Sequence, residues 1–212
     1  MTLRLTKLAI FLSALIPLAR LAWKAVHDGL GANPIEVITH STGDWTLIFV
    51  LITLSITPIR RITRQYWLVG IRRMVGLFAF FYGTLHFMTY IWLDKFFDLH
   101  EMWRDIAKRP FITVGFSAFI LLIPLALTST AWSIRRLGGK NWQRLHRLIY
   151  GTGVLAVVHY WWLVKADVRK PVEYGFILSI LLLYRVGVWA SERRKQLAIP
   201  AAARTSAEIT KA

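Results

Sequence analysis

The sequence predicts an all-α integral membrane protein: a six-transmembrane-helix bundle with both termini in the cytoplasm. Three observations carry that expectation. Of 212 residues, 56% are hydrophobic and only 18% are charged. Six apolar stretches follow one another, each close to the length a helix needs to cross a bilayer. Finally, the charges alternate between the connecting segments. Nine of the eleven acids fall in three alternate segments: Asp28, Glu36 and Asp44; Asp94, Asp98, Glu101 and Asp105; Asp167 and Glu173. The intervening segments are basic, with Arg60, Arg61, Arg64, Arg72 and Arg73, then Arg135, Arg136, Lys140, Arg144 and Arg147. This is the positive-inside pattern of a multi-pass protein. It assigns the net charge of +16 to topology and membrane lipid rather than to nucleic acid. The absence of Cys excludes disulfides, thiolate metal sites and covalently attached haem.

The first span is read at about 8–26. Its basic start resembles a signal peptide, but five more spans follow and it reads as retained. Arg20 and Lys24 lie in its outer half, as snorkelling residues or, for Arg20, as a partner for an anionic cofactor group. Residues 27–44 read as an outer loop, with Gly29, Gly31 and Pro34 as turn formers and His40 as an interfacial histidine. Span two is about 45–59, closed by Thr57-Pro58. Span three, 74–93, carries Gly76 and Gly83 seven residues apart on one face, where small side chains admit a neighbouring helix or a flat ring. Residues 96–108 read as an amphipathic helix on the outer surface. Span four is about 111–127. Span five belongs to the stretch 140–164, ending in the aromatic pair Trp161-Trp162. Span six is about 172–190, with Arg185 expected to snorkel. The membrane domain is thus placed at 1–192, and 193–212 is expected to form a disordered polar cytoplasmic tail.

The chemistry lies in two of these helices. His146 and His159 are 13 residues apart in the fifth span, and His86 stands 13 residues beyond Arg73 in the third. One span lies between the two, so they run in the same direction and His86 and His159 meet at one depth. Histidines at matched depth on different membrane helices point to axial ligation of a non-covalent haem b between them. His86 and His159 are the favoured pair. His146 is a third candidate, although 13 residues leave it about 140° from His159 around an ideal helix. A second haem at the inner level would need a ligand opposite His146, and Arg73 cannot serve. Arg72, Arg73 and Arg144, beside Trp142, make a basic inner rim able to hold an anion such as a flavin phosphate or a haem propionate. Lys165 is a candidate cation on the outer side. Gly151-x-Gly153 is no dinucleotide fingerprint, and there is no phosphate loop or H-E-x-x-H.

Several short motifs resemble one family. Arg72-Arg73-Met74-Val75-Gly76-Leu77 with His86 resembles the third helix of ferric-reductase-like transmembrane domains. Trp142-x-x-Leu145-His146-x-x-x-Tyr150 and His159-Tyr160-x-Trp162 resemble their fifth. Gly31-x-x-Pro34, His40-x-Thr42-Gly43, Thr57-Pro58, Arg109-Pro110-x-x-Thr113-x-Gly115, Thr128-Ser129 and Lys165-x-Asp167 narrow the resemblance to the haem-binding membrane subunits of bacterial methionine sulfoxide reductase systems. That resemblance implies a bacterial inner-membrane protein with haem b and FMN, and ligands at His86, His146 and His159. It implies electrons drawn from the quinone pool or a cytosolic flavin reductase and delivered to a periplasmic molybdopterin reductase. The chain would then be an electron-transfer subunit rather than a self-contained enzyme. A small transporter is disfavoured by the lack of intramembrane carboxylates. A haem-free membrane anchor and another membrane cytochrome b of the same family are the other readings.

Overall fold

The computed structural model describes residues 3–164 and 166–198. Its order is α1 (Leu3–Val26), α2 (Pro34–Thr63), α3 (Leu68–Met88), a π-helical turn (Thr89–Asp94), α4 (Leu99–Lys108), α5 (Pro110–Leu127), α6 (Ala131–Leu137), α7 (Gly139–Leu145), α8 (Leu148–Leu163) and α9 (Arg169–Ala198). Among the described residues all regular structure is helical, and five helices are long and apolar enough to cross a membrane: α1, α2, α3 with its π turn, α5 and α9. The apolar α8 has 16 residues. Lys165 and residues 199–212 lie outside the described residues; α9 extends to Ala198, beyond residue 192.

Two elements differ from the sequence expectation. Residues 34–44 are not a loop but the first three turns of α2. Pro34 fits the first helical position, where no N–H is needed, and the Asn33 side chain accepts from Glu36 N at 3.3 Å. Asp44 therefore sits inside a membrane-length helix. The stretch 140–164 is not one helix either. It breaks at His146 and Arg147, a turn between the end of α7 at Leu145 and the start of α8 at Leu148. The indole Nε1 of Trp142 donates to Thr128 O at 2.9 Å and docks α7 on the end of α5.

α2 is the centre of the bundle. Val50 and Leu54 are fully buried, with Leu47, Phe49, Leu51 and Ile56 nearly so. The helix runs through Pro58 to Thr63, so the missing proline N–H leaves the carbonyl of Leu54 without its partner. Arg185 of α9 supplies one: its Nη2 donates to Leu54 O, its Nη1 donates to Leu181 O at 2.8 Å, and its guanidinium lies over the Tyr150 ring. Arg185 thus turns into the bundle instead of snorkelling. A second side chain enters a helix ladder at Tyr82, 1% exposed on α3. Its hydroxyl donates to Ala14 O at 2.8 Å and accepts from Leu18 N at 3.2 Å, occupying the gap between two groups of α1 that would otherwise bond each other. The outward faces of α1 and α9 stay apolar and exposed, as at Phe11, Ile16, Phe176 and Leu183. Lipid is the environment in which such faces carry no penalty.

At its C-terminal end, α3 loosens into its π turn and the chain reverses at Phe96 and Phe97, both at positive φ. The amphipathic α4 follows as expected. The Asp98 side chain caps it by accepting from Glu101 N at 2.9 Å. Lys95, 8% exposed, reaches Asp105 at 2.7 Å and straps α4 to the end of α3. Its ammonium is held above the ordinary lysine range by that hydrogen bond first, against the opposing pull of burial.

Candidate functional site

An apolar cavity of about 360 Å³ opens between α2, α3, α5 and α8 in the half of the bundle that carries α4. His86 and His159 face each other across it, with ring centroids 6.1 Å apart and planes crossed at 72°. Phe87, Phe116 and Phe119 wall one side, the rings of Phe87 and Phe119 4.8 Å apart.

Each histidine is seated by the same device on a different helix. His86 Nδ1 donates to Thr39 O of α2 at 3.0 Å, and His159 Nδ1 donates to Phe111 O of α5 at 2.7 Å. A carbonyl cannot donate, so Nδ1 carries the hydrogen, and in the neutral ring Nε2 keeps its lone pair. Four residues after each carbonyl stands a glycine. A Cβ on Gly43 would lie 3.1 Å from His86 Cε1, and one on Gly115 would lie 2.6 Å from His159 Nδ1. The carbonyl orients the ring and the glycine one turn on makes the room. A ring N–H tied to a backbone carbonyl is how metal-binding histidines are commonly fixed.

The pair suits a particular kind of metal centre. Among the described residues, no group of three or more His, Asp or Glu side chains could enclose a bare ion. Two imidazoles suffice for a metal that brings its own equatorial ligands. Nitrogen–metal bonds of about 2 Å on both sides place the ring centroids about 6 Å apart, which is the separation found. The residues present therefore fit a haem with two axial histidines.

The other predicted residues are dispersed. Gly83 lines the cavity, whereas Gly76 faces Thr53 of α2 and serves helix packing. His146 does not line the cavity. Its Nε2 lies 3.0 Å from Thr128 Oγ1, and its ring stacks on Trp142 at 3.8 Å. Because the Thr128 hydroxyl donates to Pro124 O at 2.6 Å, Nε2 of His146 is the donor toward it. Arg72 is partly buried on α3, while Arg73 and Arg144 are exposed. Arg20 is exposed and off the cavity, and Lys165 lies outside the described residues. Sequence reasoning assigned no role to Gly43, Gly115, Asp44, Tyr90 or Arg109, which all line the cavity. The available signal was the spacing of a glycine in His40-x-Thr42-Gly43 and Thr113-x-Gly115; Tyr90 carried none.

A profile described as "Ferric reductase like transmembrane component" matches residues 41–158, which run from α2 into α8, hold His86 and end one residue short of His159. The chain belongs to that family. Within it, the chain is 56% identical to a protein of Herminiimonas arsenicoxydans named protein-methionine-sulfoxide reductase heme-binding subunit MsrQ, over 92% of this chain and 89% of that one. Proteins of the same name from Bordetella pertussis and Ralstonia nicotianae are 51% and 50% identical, covering 87% and 93% of this chain and 90% and 92% of their own lengths. No solved structure matches. The chain is thus a multi-pass membrane protein of the ferric-reductase-like family and of its MsrQ branch.

Proposed function

We propose that the chain is a transmembrane haem b electron carrier and that His86 and His159 are the axial ligands. The observation that carries this reading is the pair of imidazoles 6.1 Å apart across an apolar cavity, each with Nδ1 tied to a backbone carbonyl. The name borne by the relatives, a heme-binding subunit, supports it. A bound haem supplies one-electron redox chemistry, and two histidine ligands leave the iron no open position, which suits electron transfer rather than oxygen chemistry. The chain's own part is to hold, orient and dry that site. The Thr39 and Phe111 carbonyls fix the rings, Gly43 and Gly115 admit them, and Phe87, Phe116 and Phe119 exclude water.

The physiological setting follows from the same branch. The electron acceptor is a periplasmic MsrP-type molybdopterin reductase, which repairs methionine sulfoxide in oxidised proteins. The donor is the quinone pool or a cytosolic flavin reductase. The protein lies in the bacterial inner membrane with six spans, α7 and α8 forming the fifth, and both termini in the cytoplasm. His86 and His159 then sit in the outer half, toward the acceptor. Entry is on the inner side, where Arg72, Arg73 and Arg144 beside Trp142 and His146 accommodate an anionic cofactor group such as the phosphate of FMN.

The test is the visible spectrum of the purified protein. A Soret band that shifts on reduction, and that His86→Ala and His159→Ala each abolish in folded protein, is the expected result. A colourless preparation that stays so after haem supplementation overturns the reading. Labelling of single cysteines placed at Glu36 and Lys140 from opposite sides of the membrane checks the topology.

A further inference from the structure

The cavity is apolar along its walls but not at its outer mouth. Tyr90 and Arg109 both line it there. The Tyr90 hydroxyl is buried and has no hydrogen-bond partner among the described residues. Arg109 is the one Arg or Lys among the described residues that lines the cavity. Only its Nε is engaged, at 3.3 Å from Asp105 Oδ1, which leaves both terminal nitrogens of the guanidinium uncommitted. A buried hydroxyl and a half-used arginine fork, both lining one cavity, leave donors there with no hydrogen-bond partner among the described residues.

Each neighbouring acid lies within ion-pair distance of a lysine, and Asp94, Glu101 and Asp105 share the one ammonium of Lys95. Asp44 is held by Lys170 at 2.9 Å. Asp105 is held by Lys95 at 2.7 Å, and Asp94 faces the same ammonium at 3.9 Å. One ammonium does not neutralise three carboxylates, so what Arg109 offers a ligand is its two uncommitted terminal nitrogens rather than surplus charge. The planar fork of arginine matches a carboxylate with two parallel N–H donors.

We propose that Arg109 and Tyr90 form a carboxylate-binding rim at the mouth of the His86–His159 cavity, and that the carboxylates it receives are the propionates of the bound haem. The inference rests on the haem reading above. It replaces Arg20 as the propionate partner, since Arg20 is exposed and does not line the cavity. Arg109 and Tyr90 are binding residues that act on the ring edge and leave the iron ligands alone. Substituting Arg109 spares the start of α5, because its side chain makes no cap hydrogen bond there.

The experiment uses the full-length protein in detergent, loaded either with haem or with haem dimethyl ester, whose propionates carry no charge. Haem transfer to an apoprotein scavenger gives the dissociation rate of each. Wild type is expected to release the ester about tenfold or more faster than haem, as befits hydrogen bonds to a charged group. In Arg109→Gln that ratio falls toward one, and in Tyr90→Phe it falls partway. Both variants keep the low-spin spectrum, because His86 and His159 are untouched. Arg109→Gln also lowers the haem midpoint potential, since removing a cation beside the ring favours the ferric state; Arg109→Lys restores the potential without restoring the full ratio. Equal release of haem and ester by wild type overturns the inference, as does an Arg109→Gln protein that speeds both alike. Wild-type protein that takes up neither compound overturns the haem reading itself and this inference with it.

Discussion

Gly115→Ala tests the seating of His159 with one methyl group. The added Cβ would lie 2.6 Å from His159 Nδ1, 2.7 Å from Cε1 and 3.0 Å from Cγ. Ordinary contacts of a Cβ begin near 3.4 Å, so the ring must retreat by about 0.8 Å. It has little freedom to do so, because Nδ1 is bound to Phe111 O at 2.7 Å, on the same helix as the new methyl. Metal–ligand distances tolerate about 0.2 Å, and loss of an orienting partner alone costs about 10- to 100-fold in metal affinity. The expected result is a haem content at least about tenfold below wild type, with residual haem shifted from low spin toward high spin. The assay is the ratio of Soret to protein absorbance across a haem titration, with low-temperature electron paramagnetic resonance for spin state. Gly76→Ala is the control, since its Cβ would meet Thr53 Cγ2 at a comfortable 3.6 Å and lies away from the cavity. If Gly115→Ala binds haem as Gly76→Ala does, with an unchanged low-spin spectrum, the seating argument is refuted.

Three further outcomes follow from the same geometry. Tyr82→Phe removes the hydroxyl between Ala14 O and Leu18 N and should cost about 1–3 kcal/mol of stability, read as a lower midpoint of thermal unfolding in detergent with haem content retained. His146→Ala should leave the low-spin spectrum of the proposed His86–His159 pair intact, because His146 does not line the cavity, while slowing haem reduction by the donor; loss of that spectrum would reassign the ligands. Lys95→Met should loosen α4, raising its hydrogen exchange and its cleavage by protease. Because the Lys95 pKa is raised by Asp105, the strap in wild type persists through neutral pH and below the ordinary lysine pKa. It is lost only as pH rises through the higher folded value.

The membrane class, the meeting of His86 and His159 at one level and the amphipathic α4 were all legible in the sequence, for one physical reason. Apolar length and charge alternation fix depth, and depth is a one-dimensional coordinate that a chain displays directly. Azimuth is not displayed. The angle of about 140° between His146 and His159 assumed one continuous helix, and the structure breaks that helix at His146. The break stems from Trp142 and His146 reaching Thr128, a contact across 14 and 18 residues that no local pattern encodes. The start of α2 was missed because Gly, Asn and Pro between 29 and 34 signal a turn, while the Asn33 cap and Pro34 at the first helical position also open a helix. Asp44 was therefore assigned to a loop, although it lies on α2 and Lys170 of α9 pairs with it at 2.9 Å.

The two seats also explain why the surrounding helices carry the residues they do. A membrane interior leaves the carbonyls of α2 and α5 no water to accept from, so a second acceptor role is open to any of them that a neighbour approaches. Thr39 and Phe111 take that role because the glycine one turn later lets an imidazole lie against the helix. Where α2 has a truly vacant carbonyl, at Leu54 beneath Pro58, an arginine fills it instead. A histidine seat and a proline repair thus use the same free valence of a helix in lipid, and the cofactor chemistry proposed here falls where glycine, not proline, stands four residues on. Exchanging the roles would fail in a defined way. Proline at Gly115 would vacate the Phe111 carbonyl but add ring atoms where even a single Cβ is already 0.8 Å too close, so His159 would keep an acceptor and lose its place.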